Sequence, residues 1–180
     1  MARKTSRNSK QATLAWATQV LDIEAGAIAS LKSRLDGEFV KAVEMLLKTS
    51  GRVVVTGIGK PGFIAQKLSA TLASTGIASH YLHPAEAAHG DLGRVVNGDV
   101  VIALSNSGAT EELVRLLVPL KRLKIQLIVI TGQKNSPLAQ AADLVLDIGT
   151  CIIRFDLQPH RPHLFHKIII DAHVGIGIFL

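Results

Sequence analysis

The chain has 180 residues, the length of one domain with room for a real core. Hydrophobic residues make up 48% of it and charged residues 19%, which excludes a chain that is disordered by composition. Twenty basic against 14 acidic side chains leave a formal charge of +6. The basic residues concentrate before Asp22 with no interleaved aromatics for base stacking, so a solvated arm is expected and no nucleic-acid partner. A basic protein also suits a small anionic substrate. The single Cys151 excludes an internal disulfide and offers no metal spacing. No apolar run reaches the length of a membrane span: residues 167–180 open on Lys167 and contain Asp171 and His173. Arg3, Lys4, Arg7 and Lys10 are not followed directly by an apolar signal core, so a cytoplasmic protein without a membrane partner is expected.

In chain order, residues 1–10 read as a loose basic tail and residues 11–180 as a single domain whose part after 149 is atypical. Leu14, Val20, Leu21, Ile23, Ala27, Ile28 and Leu31 recur at helical spacing and predict a helix over about 11–34. Asp36-Gly37 breaks it, and a second helix is predicted over 38–48. Apolar, β-branched runs then predict strands over 52–57, 78–82, 99–104, 126–131 and 144–148. Helices are predicted between them over 64–75, about 110–123 and 137–142. This alternation predicts an α/β fold in which crossover helices wind a parallel sheet. Ligands of such sheets sit beyond the carboxyl ends of the strands, in the loops after residues 57, 82 and 104.

Three motifs occupy those loops. Gly57-Ile58-Gly59-Lys60-Pro61-Gly62 satisfies G-x-G-x-x-G, but the second strand ends Tyr81-Leu82-His83 without a ribose-binding carboxylate. A Walker loop fails on spacing and on the Lys-Ser/Thr pair. What remains is a glycine turn at a helix start, where Gly59 presents backbone N–H to an anion and Lys60 adds charge, or else a plain strand-to-helix turn. Ser105-Asn106-Ser107-Gly108-Ala109-Thr110 joins a buried strand to a helix. Its three hydroxyls and one amide suit a phosphate beyond what an ordinary N-cap requires, and Glu111 and Glu112 fit the first helical turn. The loop from His83 through Glu86 to His89 and Asp91 gathers titratable groups, with His89 and Glu86 candidates for general acid and base. Two histidines six apart lack a zinc spacing. His160, His163 and His166 sit among prolines without acidic or cysteine partners, so no metal is expected there either.

Together these residues resemble the arabinose-5-phosphate isomerase family, whose catalytic part is a sugar isomerase (SIS) domain. The likeness is carried by residues 51–60 (GRVVVTGIGK), 73–76 (ASTG), 83–93 (HPAEAAHGDLG) and 99–108 (DVVIALSNSG). It continues through 120–123, 130–132 and 141–143 and spans about residues 19–148. The resemblance implies a flavodoxin-like three-layer α-β-α sandwich around a five-stranded parallel sheet. It also implies cofactor-free interconversion of ribulose 5-phosphate and arabinose 5-phosphate, with a pentose phosphate as substrate and a homo-oligomer, dimer or tetramer, as the working form. Carried over by position, Lys60, His89 and Glu112 fall on catalytic positions. Gly59, Ser105, Asn106, Ser107 and Thr110, with His83 and Glu86, fall on substrate-binding ones.

Two departures temper the reaction. Pro61-Gly62-Phe63 stands where the family usually has Ser-Gly-His, and after Gly149 the family's glutamate before Cys-Pro is missing. Full-length members also continue into a histidine-containing segment and usually a pair of regulatory cystathionine-β-synthase (CBS) modules, neither of which lies within these 180 residues. The expectation is therefore phosphosugar binding with turnover weak or absent in this form. The alternative is a non-catalytic sugar-phosphate sensor.

Overall fold

The computed structural model describes the backbone of residues 2–149 and side chains from Lys10 onward. Cys151 and the histidines at 160, 163, 166 and 173 lie outside the described residues. The chain divides into two compact units, the first ending at Lys32 and the second beginning at Ser33. One domain was expected to start near residue 11.

The first unit contributes α1, Ala2–Ser30. Its backbone is helical from residue 2, where composition predicts a loose tail. Ala2, Arg3, Lys4, Arg7 and Lys10 have high helix propensity, though Thr5, Ser6, Asn8 and Ser9 do not, and the helix runs on into Gln11-Ala12. A single 3-10 turn, Leu31–Arg34, follows α1.

The second unit opens with α2, Gly37–Lys48, whose N-cap Asp36 accepts from Glu38 N at 2.9 Å. Lys41–Glu38 and Lys48–Glu44 pairs brace its solvent side. Five strands follow, β1 Val53–Thr56, β2 Ser79–Leu82, β3 Val100–Leu104, β4 Gln126–Thr131 and β5 Leu144–Asp147. They form one all-parallel sheet in the order β2-β1-β3-β4-β5. Each lies within its predicted segment, and the flavodoxin-like order is the one expected.

The connecting helices are α3 Lys60–Ser74, α4 Pro84–Ala88, α5 Glu111–Arg122 and α6 Pro137–Ala141. α3 starts four residues earlier than periodicity predicts, because Pro61 is pre-organised for a helical first turn rather than a break. It covers one face of the sheet, where Ser79 Oγ and Ser69 Oγ lie 3.0 Å apart. On the opposite face Val54, Val101, Ala103, Leu127 and Val129 pack with Ala87, Leu113, Leu116, Leu120 and Leu138 of α4, α5 and α6. Helices on both faces leave the central strands β1 and β3 buried throughout, which explains their continuous runs of Val, Ile and Leu. Asp99 ties the edge of β3 to β1, accepting from Arg52 N at 2.8 Å and from Val96 N at 2.9 Å.

Asp147 closes β5. Its carboxylate accepts from Gly149 N at 2.8 Å, pairs with Arg34 Nη1 at 2.6 Å and lies 3.3 Å from Lys134 Nζ. Burial alone would raise its pKa, but the Gly149 N–H, Lys134 and Arg34 together hold it below the ordinary aspartate value. A carboxylate with a depressed native pKa stabilises the fold fully above its unfolded pKa of about 3.9, and that share is lost as pH falls through the native value. Asp147→Asn should therefore lower thermal stability at pH 7 and flatten its decline below about pH 4. Melting curves from pH 7 to 2.5 test this; parallel curves for the two proteins would refute it.

Candidate functional site

β1 and β3 are neighbours, yet the chain leaves β1 towards β2 on one side and β3 towards β4 on the other. Their carboxyl ends form the switch point where doubly wound sheets open a crevice. The turn 57–60 leaves β1 there, and the turn 105–110 leaves β3.

The second turn is built from its own hydroxyls. Ser105, only 3% exposed, accepts at Oγ from Gly108 N at 3.0 Å, and its Oγ lies 2.7 Å from Thr110 Oγ1. Ser107 Oγ accepts from Ala109 N at 3.3 Å. Gly108 adopts φ 60°, and a Cβ there would overlap the Ser136 side chain, so glycine is required on both counts. Thr110 is the N-cap of α5 but makes no side-chain capping bond, its hydroxyl being turned to Ser105. The first N–H groups of this 12-residue helix are thus left without a side-chain cap beside the Ser105 and Thr110 hydroxyls. Such a concavity offers an anion short donors together with the positive end of the helix dipole.

In the first turn, Gly59 is the N-cap of α3 at φ 65°, with no side-chain capping bond, and Lys60 is the first residue of the helix. Gly57 O accepts from Tyr81 Oη at 2.8 Å, which secures this turn to β2. Phe63 stands 72% exposed one residue past Gly62.

The third segment, expected as a loop, is a short helix. His83 is the N-cap of α4, its Nδ1 accepting from Ala85 N at 3.2 Å, so in the neutral ring the proton sits on Nε2 and is available to donate. Pro at the first helical position was the sequence signal for this element. Glu86 lies within α4, and His89 is its exposed C-cap. α4 packs against α5, in whose first turn half-buried Glu112 lies; neighbouring Glu111 is engaged by Arg115.

The structure thus carries Gly59, Lys60, His83, Ser105, Asn106, Ser107 and Thr110 on turns at one edge of the sheet. Glu86, His89 and Glu112 sit on the adjoining pair α4 and α5. Sequence reading passes over two polar residues there. Thr56, at the carboxyl end of β1, is 2% exposed with Oγ1 unpartnered among the described residues. Thr131, at the carboxyl end of β4, is fully buried. A threonine ending an aliphatic run, Val53–Val55 or Leu127–Ile130, was the available signal for each. Among the described residues no three His, Cys, Asp or Glu side chains gather to hold a metal, and no helix is long and apolar enough to cross a membrane.

The SIS domain model matches residues 46–153, and the chain belongs to the SIS domain family. It is 53% identical over 158 residues to the arabinose 5-phosphate isomerase KdsD of Pseudomonas aeruginosa, covering 87% of this chain and 48% of that protein. Against KdsD of Salmonella typhimurium it is 49% identical over 128 residues, covering 71% and 39%. Among solved structures, the complex of the E. coli CFT073 protein c3406 with arabinose 5-phosphate aligns at TM-score 0.76 and 35% identity, covering 90% of this chain and 87% of that one. The chain spans about half the length, or less, of the curated relatives it matches.

Proposed function

We propose that this chain is the phosphosugar-binding module of an arabinose-5-phosphate isomerase, taking a pentose 5-phosphate in the crevice between β1 and β3. One observation carries the reading: the Ser105–Thr110 turn, whose hydroxyls meet the uncapped start of α5. A phosphate dianion there would accept from Ser107, Thr110 and first-turn N–H groups. Ser105 Oγ already accepts from Gly108 N, so its proton is left to donate. The relatives named as arabinose 5-phosphate isomerases, and the neighbour solved with arabinose 5-phosphate, support this ligand over other sugar phosphates. They also favour an isomerase over a sensor.

The reaction needs a base to take the C1 proton of the ketose as the electron pair flows into the C2 carbonyl. The resulting enediolate is protonated at C2 while a hydroxyl proton passes from O1 to O2. His89 or Glu112 would exchange the carbon-bound proton, and Lys60 would steady the developing oxyanion. His83 Nε2–H and Glu86 would contact sugar hydroxyls. No step calls for a cofactor. With Pro61 and Phe63 beside Lys60, turnover is expected to be slow. A cytoplasmic homo-oligomer remains part of the same reading.

Calorimetric titration with arabinose 5-phosphate, run beside a turnover assay on ribulose 5-phosphate, tests the proposal. Saturable binding of the phosphate ester but not of free arabinose, with measurable isomer exchange, is expected. Binding without exchange would favour the sensor, and no binding would sink the reading.

A further inference from the structure

We infer that Thr131 is a positioning residue for the 105–110 turn, setting the geometry of the anion cradle from beneath without touching the ligand. This rests on the phosphosugar reading above.

Backbone pairing continues one step beyond β3, since Ser105 N donates to Ile130 O at 3.1 Å. Ser105 therefore stands beside Thr131, which is itself paired with Asp147 on β5. Three polar residues, Ser105, Thr131 and Asp147, thus follow one another along the carboxyl edge of the sheet. Thr131 has no access to solvent. A hydroxyl in that position costs stability unless both its hydrogen-bonding functions are used.

Both are used, one towards the turn and one within the chain leaving β4. Thr131 Oγ1 donates to Asn106 O at 3.3 Å and accepts from Gln133 N at 3.2 Å. Gly132 N donates to the same Asn106 carbonyl at 3.1 Å, and Leu138 N donates to Gly108 O at 3.0 Å. Thr131 Oγ1 also lies 2.9 Å from the place a Cβ on Gly108 would take. The segment joining β4 to α6 therefore holds the carbonyls on either side of Ser107. With those carbonyls held, the turn keeps the shape in which Ser105 Oγ meets both Gly108 N and Thr110 Oγ1 at the start of α5.

Valine matches threonine in shape but lacks the hydroxyl, leaving Gln133 N without its acceptor and Asn106 O with one donor fewer. Serine keeps the hydroxyl and loses only a methyl. Thr131→Val should weaken arabinose 5-phosphate binding about tenfold, while Thr131→Ser stays within about threefold of the parent. Rescue by serine but not by valine separates positioning from packing, since valine preserves the packed volume better. Should the valine variant not fold, Thr131→Cys, with its much weaker donor, is read the same way. Equal affinity in the parent and the variant lacking the hydroxyl would overturn the inference. If the parent itself binds no arabinose 5-phosphate, the phosphosugar reading fails separately. Positioning is then read from amide exchange at Ser107 and Gly108, expected to quicken about tenfold in the valine variant and recover in the serine variant. Unchanged exchange would overturn it.

Discussion

Gly108→Ala should lower the melting temperature by roughly 5–15 °C and abolish arabinose 5-phosphate binding at millimolar ligand. Two costs add. A left-handed backbone at φ 60° costs an alanine about 1–2 kcal/mol. Forcing a methyl group onto the buried Ser136 side chain costs about 1–3 kcal/mol more, since the site is closed on that side by β4 and α6. Relief requires the 105–110 turn to move away from Thr131 and Ser136, which takes the Ser105 and Thr110 hydroxyls out of register with the start of α5. Gly76→Ala is the control. It also has positive φ, 93°, but nothing lies within 4 Å of its Cβ, so only the conformational share should appear, with binding intact. Differential scanning calorimetry and titration of both variants decide the matter. Equal losses in the two would show that the close approach to Ser136 has no consequence.

Ser105→Ala should weaken arabinose 5-phosphate binding by about ten- to a hundredfold while costing only about 1 kcal/mol of stability. The stability cost is small because Gly108 N retains the Ser105 carbonyl, at 3.1 Å, as a second acceptor. The binding cost is larger because the Ser105 proton, donated to Thr110 Oγ1, leaves the Thr110 proton aimed at the dianion, and such charge-assisted bonds are the stronger kind. Thr110 Oγ1 would also lose its 2.7 Å partner and become free to turn back onto α5 as an ordinary cap, competing with the ligand for the same N–H groups. Titrations of the parent and variant with arabinose 5-phosphate, and with arabinose as the uncharged comparison, measure it. A loss no greater than twofold would remove Ser105 from the cradle.

The strands and the polar turns were legible because each rests on a local signal. A run such as Val100-Val101-Ile102-Ala103-Leu104 followed by Ser105-Asn106-Ser107 marks a buried strand ending at a polar corner, whatever lies around it. α4 was not legible. Five residues carry too little periodicity to register, and only its neighbours Leu113 and Leu116 make Ala87 a core residue. The start of α1 escaped because residues 2–10 carry almost no apolar side chains and so no periodicity to read.

The amino-acid sequence by itself determined the α/β class, the three ligand-side turns and the chemistry gathered on them. These follow from short-range patterns: apolar runs of strand length, glycine where the chain must turn, hydroxyls at a helix start. Only the tertiary structure decided which of those turns are neighbours on their shared edge, because strand order depends on crossovers that no local pattern encodes. Only there does Thr131, 25 residues from Asn106 in the chain, become the support of its carbonyl. Likewise, Gly108 is required as much by Ser136 as by its own φ, a constraint imposed by packing rather than by the turn that contains it.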